Sequence, residues 1–241
     1  MLELCTLASG SSGNSLLVTD GRTHVLVDAG ISCRRICTGL KELGVEPTEL
    51  AGVLITHEHS DHISGLTTLT KQLRLPVYAS PGTGRQLCYR IAFLEELLRP
   101  VAPGEGFSVG GLAIESFPTP TTRRRAWATP CPPGAKAAVV TDLGYVTGAC
   151  FAASGGRISW WPRPTTTWSG CSPALPLPPQ GPHSGHRGHL SNEAGAELAW
   201  TAVRGAPARW CWAHLSHENN TPAGPTRCTG RTGAPGRGSG P

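Results

Sequence analysis

The sequence has no apolar run long enough to cross a bilayer and no basic-then-apolar leader pattern at Met1, which argues against a membrane-spanning or exported chain. It has nine cysteines but no C-x-x-C pair, so neither a zinc ribbon nor a disulfide framework is written into it. A reducing cytoplasm is the compartment that fits this usage. Acidic residues are scarce in the second half. Residues 1–115 hold nine Lys/Arg and twelve Asp/Glu, a net −3, whereas residues 116–241 hold twelve Lys/Arg and four Asp/Glu, a net +8. The overall charge of +5 is therefore no property of the first half and gives it no basic nucleic-acid surface. All seven Trp lie at or after Trp127, and seventeen of the 22 Pro lie after residue 115. One further absence is chemical: no histidine stands between His62 and His183.

At 241 residues the chain is long enough for one α/β domain with a sizeable core. Leu2 to Leu7 reads as a first strand, followed by the turn Ser9-Gly10-Ser11-Ser12-Gly13-Asn14. That turn is either a plain hairpin connection or a loop whose amides face an anion. Strands over Ser15–Val18 and His24–Val27 pair across Asp20-Gly21. Ile36, Leu40 and Leu43 share one face of a helix over Cys33–Leu43, with Gly44 as its stop. Cys33 and Cys37 are small residues of that helix, one turn apart. Leu66, Leu69 and Leu73 mark another helix, Pro76–Ala79 a strand, and Gly84–Leu98 a further helix. Phe107–Val109 and Leu112–Ile114 form a hairpin around Gly110-Gly111, and Ala194–Val203 reads as a last helix with Ser191 as its N-cap.

The densest chemistry lies in Thr56-His57-Glu58-His59-Ser60-Asp61-His62, immediately after the apolar run Val53-Leu54-Ile55. A β-branched, fully apolar run reads as a buried strand, so the H-x-H-x-D-H residues occupy the loop leaving its end. His57 and His59 alternate and can point the same way, offering two imidazoles to one divalent ion. Asp61 and His62, being adjacent, diverge and can serve a second ion. Imidazole with carboxylate suits zinc foremost and extends to manganese. Asp142, at the end of the strand Ala137–Thr141, can project a carboxylate that bridges two ions. His214 likewise follows a short apolar strand.

These motifs carry a resemblance. Together with Leu7 to Ser15, Val27-Asp28-Ala29-Gly30, Thr141 to Tyr145, Gly188-His189-Leu190-Ser191-Asn192 and Ala213 to Asn220, they resemble the YycJ/WalJ branch of the metallo-β-lactamase fold, which is similar to tRNase Z. The resemblance is near-continuous over residues 1–115 and patchy beyond. It implies an αββα four-layer sandwich in one domain over residues 1–222; residues 223–241, rich in Gly, Pro, Arg and Thr, read as a disordered tail. It implies a binuclear metal-dependent hydrolase, a phosphodiesterase of the 5′-to-3′ DNA exonuclease kind with nucleic acid as substrate. By the same resemblance His57 and His59 serve the first ion, Asp61, His62 and His214 the second, and Asp142 both. His189 assists the leaving group or the phosphate, Asp61 orients the attacking oxygen, and Asp28 supports the histidine loop from behind. Two readings stand beside it: a small ester or thioester hydrolase of the same fold, and a catalytically impaired metal-binding protein.

The impaired reading arises from a missing element. The resembled family completes the first ion with a His in a His-Asp-Ala sequence, where Pro120 to Arg123 stands here. Residues 118–135 and 150–186 carry Trp, Arg, Pro, Ser and Thr without hydrophobic period, and family-like text resumes at Lys136 and Arg187. These two windows read as translated out of frame, with a genuine lineage-specific insertion as the alternative.

Overall fold

A computed structural model describes residues 2–102 and 104–118, together with strand segments 125–131, 135–139, 164–166 and 190–191. Six strands form the main sheet in sequence order: β1 (Glu3–Ala8), β2 (Ser15–Thr19), β3 (His24–Val27), β4 (Leu50–Leu54), β5 (Val77–Ala79) and β6 (Leu98–Pro100). The first three pair antiparallel, and β3 to β6 pair parallel. Each parallel step needs a crossover, and helices supply it. Helix α1 (Cys33–Glu42) joins β3 to β4, α2 (Ser60–Ile63) and α3 (Leu66–Leu73) join β4 to β5, and α4 (Pro81–Arg90) leads toward β6. A second, antiparallel sheet has the order β10-β9-β8-β7, built from β7 (Gly106–Val109), β8 (Leu112–Pro118), β9 (Arg125–Cys131) and β10 (Ala135–Val139). A short parallel pair joins β11 (Pro164–Thr166) to β12 (Leu190–Ser191).

The period-two alternation of the strands sorts the core into two slabs. Leu17, Leu26, Val53 and Val77 face the helices and pack with Ile36 and Leu40 of α1, Leu66 and Leu69 of α3 and Leu87 of α4. Their neighbours Leu16, Val18, Val25, Val27 and Leu54 face the opposite way, against Val109, Leu112, Ile114, Trp127 and Val139 of the second sheet. Strands buried on both faces are what continuous apolar runs such as Val53-Leu54-Ile55 encode. Helices, sheet and sheet thus form three layers of the expected sandwich. The expected fourth, with the helix read over Ala194–Val203, lies outside the described residues.

Four expectations from the sequence change. The helix read over Gly84–Leu98 is α4, which begins earlier because Ser80 caps it and Pro81 fills its first position, and which stops at Ile91, where the backbone turns extended (φ −135°, ψ 81°). A short 3₁₀ helix, Ala92–Glu96, and strand β6 take up the remainder. Leu43, expected on the buried face of α1, is 45% exposed because it follows the last helical residue and leaves the helical face. Strand β9 arises inside the window 118–135, where no period was legible, by pairing with β8 and β10 and burying Trp127. Ser191, expected to cap a helix, belongs to β12. Among the described residues no helix is long and apolar enough to cross a membrane.

Candidate metal centre

The site lies at the carboxyl ends of β3 and β4, the customary ligand position in open parallel sheets. Asp28 follows β3 directly and is fully buried, with a left-handed backbone (φ 59°). Aspartate tolerates that conformation better than most residues, but a buried, left-handed carboxylate persists only where its surroundings hold it. They do so here through three donors. The Thr56 amide donates to Asp28 Oδ1 at 2.8 Å, the Thr56 hydroxyl to Oδ2 at 2.8 Å, and His62 Nδ1 to Oδ2 at 2.7 Å.

This arrangement assigns the imidazole tautomers through the hydrogen-bond network. Asp28 as a carboxylate accepts only, so His62 carries its proton on Nδ1 and presents the lone pair of Nε2. Thr56 has a single hydroxyl hydrogen, already given to Asp28. His57 Nδ1, 3.0 Å from that oxygen, is therefore the donor, and Nε2 of His57 is again the unprotonated nitrogen. One carboxylate and one hydroxyl thus orient two imidazoles with the same nitrogen forward, the device by which residues behind a metal site prepare its ligands.

The rings gather as the motif suggests. His57 lies 4.5 Å from His59 and 4.0 Å from His62, centroid to centroid. His57 and His62 are buried, Asp61 is half-buried and His59 is exposed at the mouth. Asp61 and His62 do not diverge as adjacency in an extended loop implied. Both sit in the single turn of α2, and Asp61 Oδ2 comes within 3.5 Å of His62 Nε2. Two donors each about 2.1 Å from a tetrahedral ion lie roughly 3.4 Å apart, so this pair is spaced to share a divalent cation. The donor set therefore fits such an ion. It is a partial set, for among the described residues no group of three or more His, Cys, Asp or Glu side chains is placed to hold an ion. Asp142, His189 and His214, expected to complete the site, lie outside the described residues.

Two neighbouring segments brace the loop. Arg90 of α4 donates to the Glu58 carbonyl at 2.9 Å, and the Thr83 hydroxyl to the Glu58 carboxylate at 3.3 Å. Gly30 and Gly65 allow the backbones to touch: a Cβ on Gly30 would lie 1.7 Å from the Asp61 carbonyl oxygen, and one on Gly65 2.0 Å from that of Ile31. Sequence reading did not assign roles to Thr56 or Asn14. Both now contact expected ligands, and Asn14 hides in what looks like ordinary turn composition.

Comparison with known proteins settles the family. A model described as the beta-lactamase superfamily domain matches residues 23–214. The chain belongs to that family. Exodeoxyribonuclease YycJ of Bacillus anthracis is 36% identical over 117 residues, covering 48% of this chain and 44% of its own. Exodeoxyribonuclease WalJ of Streptococcus pneumoniae (strain D39) is 46% identical over 77 residues, or 32% of this chain and 29% of the relative. Ribonuclease Z of Mycobacterium sp. (strain KMS) is 31% identical over 153 residues, covering 49% and 53%. The chain thus spans about half, or less, of the length of the curated relatives it matches. Among solved structures, Zn(2+)-bound PqqB from Methylobacterium extorquens aligns at TM-score 0.69 with 17% identity over 91% of this chain and 90% of that one. Human tRNase Z, short form, aligns at 0.67 with 15% identity over 90% and 95%. These likenesses establish the metallo-β-lactamase fold, as the motifs implied.

Proposed function

We propose that this chain is a binuclear metal-dependent phosphodiesterase acting on nucleic acid, in the manner of a 5′-to-3′ DNA exonuclease. The observation that carries the reading is the Asp28–Thr56 unit, which turns the Nε2 lone pairs of His57 and His62 toward the site beside Asp61. The exodeoxyribonuclease and ribonuclease names of the relatives support nucleic acid as the substrate class. His57 and His59 hold the first divalent ion, with zinc the first choice and manganese the second. Asp61, His62 and His214 would hold the other, with Asp142 as the carboxylate shared by both. Bound ions of this kind supply Lewis-acid charge and activate water for attack on a phosphodiester. Of the chain's own groups, Asp61 orients the attacking oxygen and His189 assists the leaving group. Asp28 holds the proton of His62 on Nδ1 directly, and Thr56 does the same for His57, which leaves both Nε2 atoms unprotonated.

The absence of a histidine between His62 and His183 favours a second reading, in which the first ion is bound weakly and catalysis is impaired. Counting ions per chain separates the two. Hydrolysis of single- and double-stranded DNA, RNA and a thioester ester series tests the substrate class in the same preparation. His57→Ala and Asp61→Ala are expected to abolish nucleic-acid hydrolysis while leaving the circular dichroism spectrum unchanged. Full activity in either variant, in buffer free of chelator, overturns the site assignment.

A further inference from the structure

Asn14 ends the Ser/Gly loop between β1 and β2 and is only 3% exposed. Its backbone clamps two segments of the site: the Asn14 amide donates to the Asp61 carbonyl at 2.7 Å, and Gly30 donates to the Asn14 carbonyl at 2.8 Å. The side chain does something separate. Gly10 N–H donates to Asn14 Oδ1 at 3.1 Å, and a backbone amide can only donate, so the orientation of the side-chain amide is fixed with Nδ2 facing the site. There Nδ2 lies 3.2 Å from His62 Nε2, 3.5 Å from Asp61 Oδ2 and 3.2 Å from the Asp61 carbonyl. His62 Nε2 is the lone-pair nitrogen, because Nδ1 gives its proton to Asp28, so Asn14 is the donor in that contact. Asp61 Oδ2, His62 Nε2 and Asn14 Nδ2 thus form a triangle with sides of 3.5, 3.2 and 3.5 Å.

We propose that Asn14 is a positioning residue that presets the Asp61–His62 pair for a divalent cation. The inference rests on the metallohydrolase reading above. In the metal-free protein the amide presents partial positive charge to both acceptors and holds them at the separation a shared cation requires. Two acceptors left to themselves would repel and take other rotamers, and ordering them again would weaken binding. When the cation enters, the bonds from Nδ2 to the two ligand atoms are exchanged for it. The bond to the Asp61 carbonyl and the bond from Gly10 remain, so the loop does not have to move.

Two substitutions isolate this role from simple structural support. Asn14→Ala removes every side-chain bond but keeps both main-chain ones. Asn14→Asp is nearly isosteric and keeps the acceptor for Gly10 while replacing the donor with a second carboxylate. The full chain is stripped with chelator, zinc affinity and stoichiometry are measured by competition with a chromophoric chelator, and thermal midpoints are recorded with and without zinc. Wild type is expected to bind zinc at a site that Asp61→Ala removes. Asn14→Ala is expected to weaken that site by about tenfold or more, in the range seen when groups behind metal ligands are deleted. Asn14→Asp is expected to melt below wild type without zinc and to gain more in midpoint from zinc than wild type does. If wild type takes up no zinc, the metallohydrolase reading fails and the role of Asn14 with it. If wild type binds zinc but Asn14→Ala binds it as tightly or more tightly, only the role of Asn14 fails. Equal losses of midpoint in both variants, with and without zinc, also overturn it, since that is the behaviour of a merely structural residue.

Discussion

Asp28 Oδ2 accepts from His62 Nδ1 at 2.7 Å with neither side chain exposed to solvent, across 34 positions of sequence. The same carboxylate takes the Thr56 amide and hydroxyl, so a single residue at the end of β3 holds the loop at the end of β4. Asp28→Ala leaves the Thr56 amide and His62 Nδ1 without their acceptor in a buried setting, at a cost of about 1–3 kcal/mol for each unpaired donor. Asp28→Asn tolerates the left-handed backbone, since asparagine favours it, and retains one acceptor oxygen. Urea unfolding is therefore expected to rank stability as wild type, then Asp28→Asn, then Asp28→Ala. Zinc affinity is expected to fall by about 10–100-fold even in the milder variant. Unchanged affinity in Asp28→Asn would separate the carboxylate from the metal site.

Gly30 offers a harsher test of how tightly the site is assembled. Its Cβ would meet Asp61 O at 1.7 Å, Asp61 C at 2.4 Å and Asn14 N at 2.6 Å, all backbone atoms that no rotamer change can move aside. Gly30→Ala is expected to cost more than about 3 kcal/mol, beyond the usual range for overpacking, because two chain segments must separate. Gly44→Ala makes a suitable comparison, since nothing lies within 4 Å of its Cβ and the only strain is the positive φ of 76°. Its cost is expected to stay near 1 kcal/mol. Equal midpoints for the two variants in thermal melts would refute the close approach at Gly30.

Cys33 sets an alkaline limit on stability. Burial, reinforced by the neighbouring Cys37 thiol 3.9 Å away, pushes the Cys33 thiol from 9.0 up to about 11. The folded state therefore holds this proton more tightly than the unfolded chain. Its contribution is complete below pH 9.0 and is lost as pH rises through about 11. Urea midpoints of wild type and Cys33→Ala are expected to run parallel from pH 6 to 8 and to converge above pH 9. The same protonation predicts slow alkylation of Cys33 by iodoacetamide at neutral pH. Rapid labelling of that thiol in the folded protein would contradict the shift.

What the sequence made legible follows from how local each signal is. Helices α1 and α3 announce themselves by leucines and isoleucines three and four apart, and the hairpins by Gly-containing turns. The H-x-H-x-D-H loop is legible for the same reason: its donors are packed into six residues. The role of Asn14 was not, because the Asp61 carboxylate it touches is 47 positions away and a Ser/Gly/Asn run has the composition of any turn. Strand β9 was hidden because its partners β8 and β10, not its own composition, give it a strand's conformation. The start of α4 is a local signal too, since Ser80-Pro81 supplies a cap and a first-turn proline ahead of Gly84.

The last prediction concerns the gene. Segments 118–135 and 150–186 are expected to be translated out of frame, each by compensating insertions and deletions. Acidic residues and hydrophobic period vanish inside them, while family-like text resumes at Lys136 and Arg187. The His-Asp-Ala element of the resembled family, absent from this chain, is expected within the first of these windows. The match to the beta-lactamase superfamily domain spans residues 23–214 and so runs across both windows. Strand β9 with its buried Trp127 lies partly against this account, since a strand that pairs on both sides is what an authentic segment also forms. The physical stake is the first ion. With His57 and His59 as its imidazoles and Asp142 shared, its shell needs a further protein donor or extra water, and binding through so few ligands is weak. Resequencing the locus decides. Nucleotide text that yields a His-Asp-Ala-like element near Pro120–Arg123 on a one-base shift supports the account, and the restored chain should then bind a second zinc ion that the present one binds weakly. A reading frame verified as written, with no such element in either shifted frame, ends it and leaves a true divergence in which the first ion is held by two histidines.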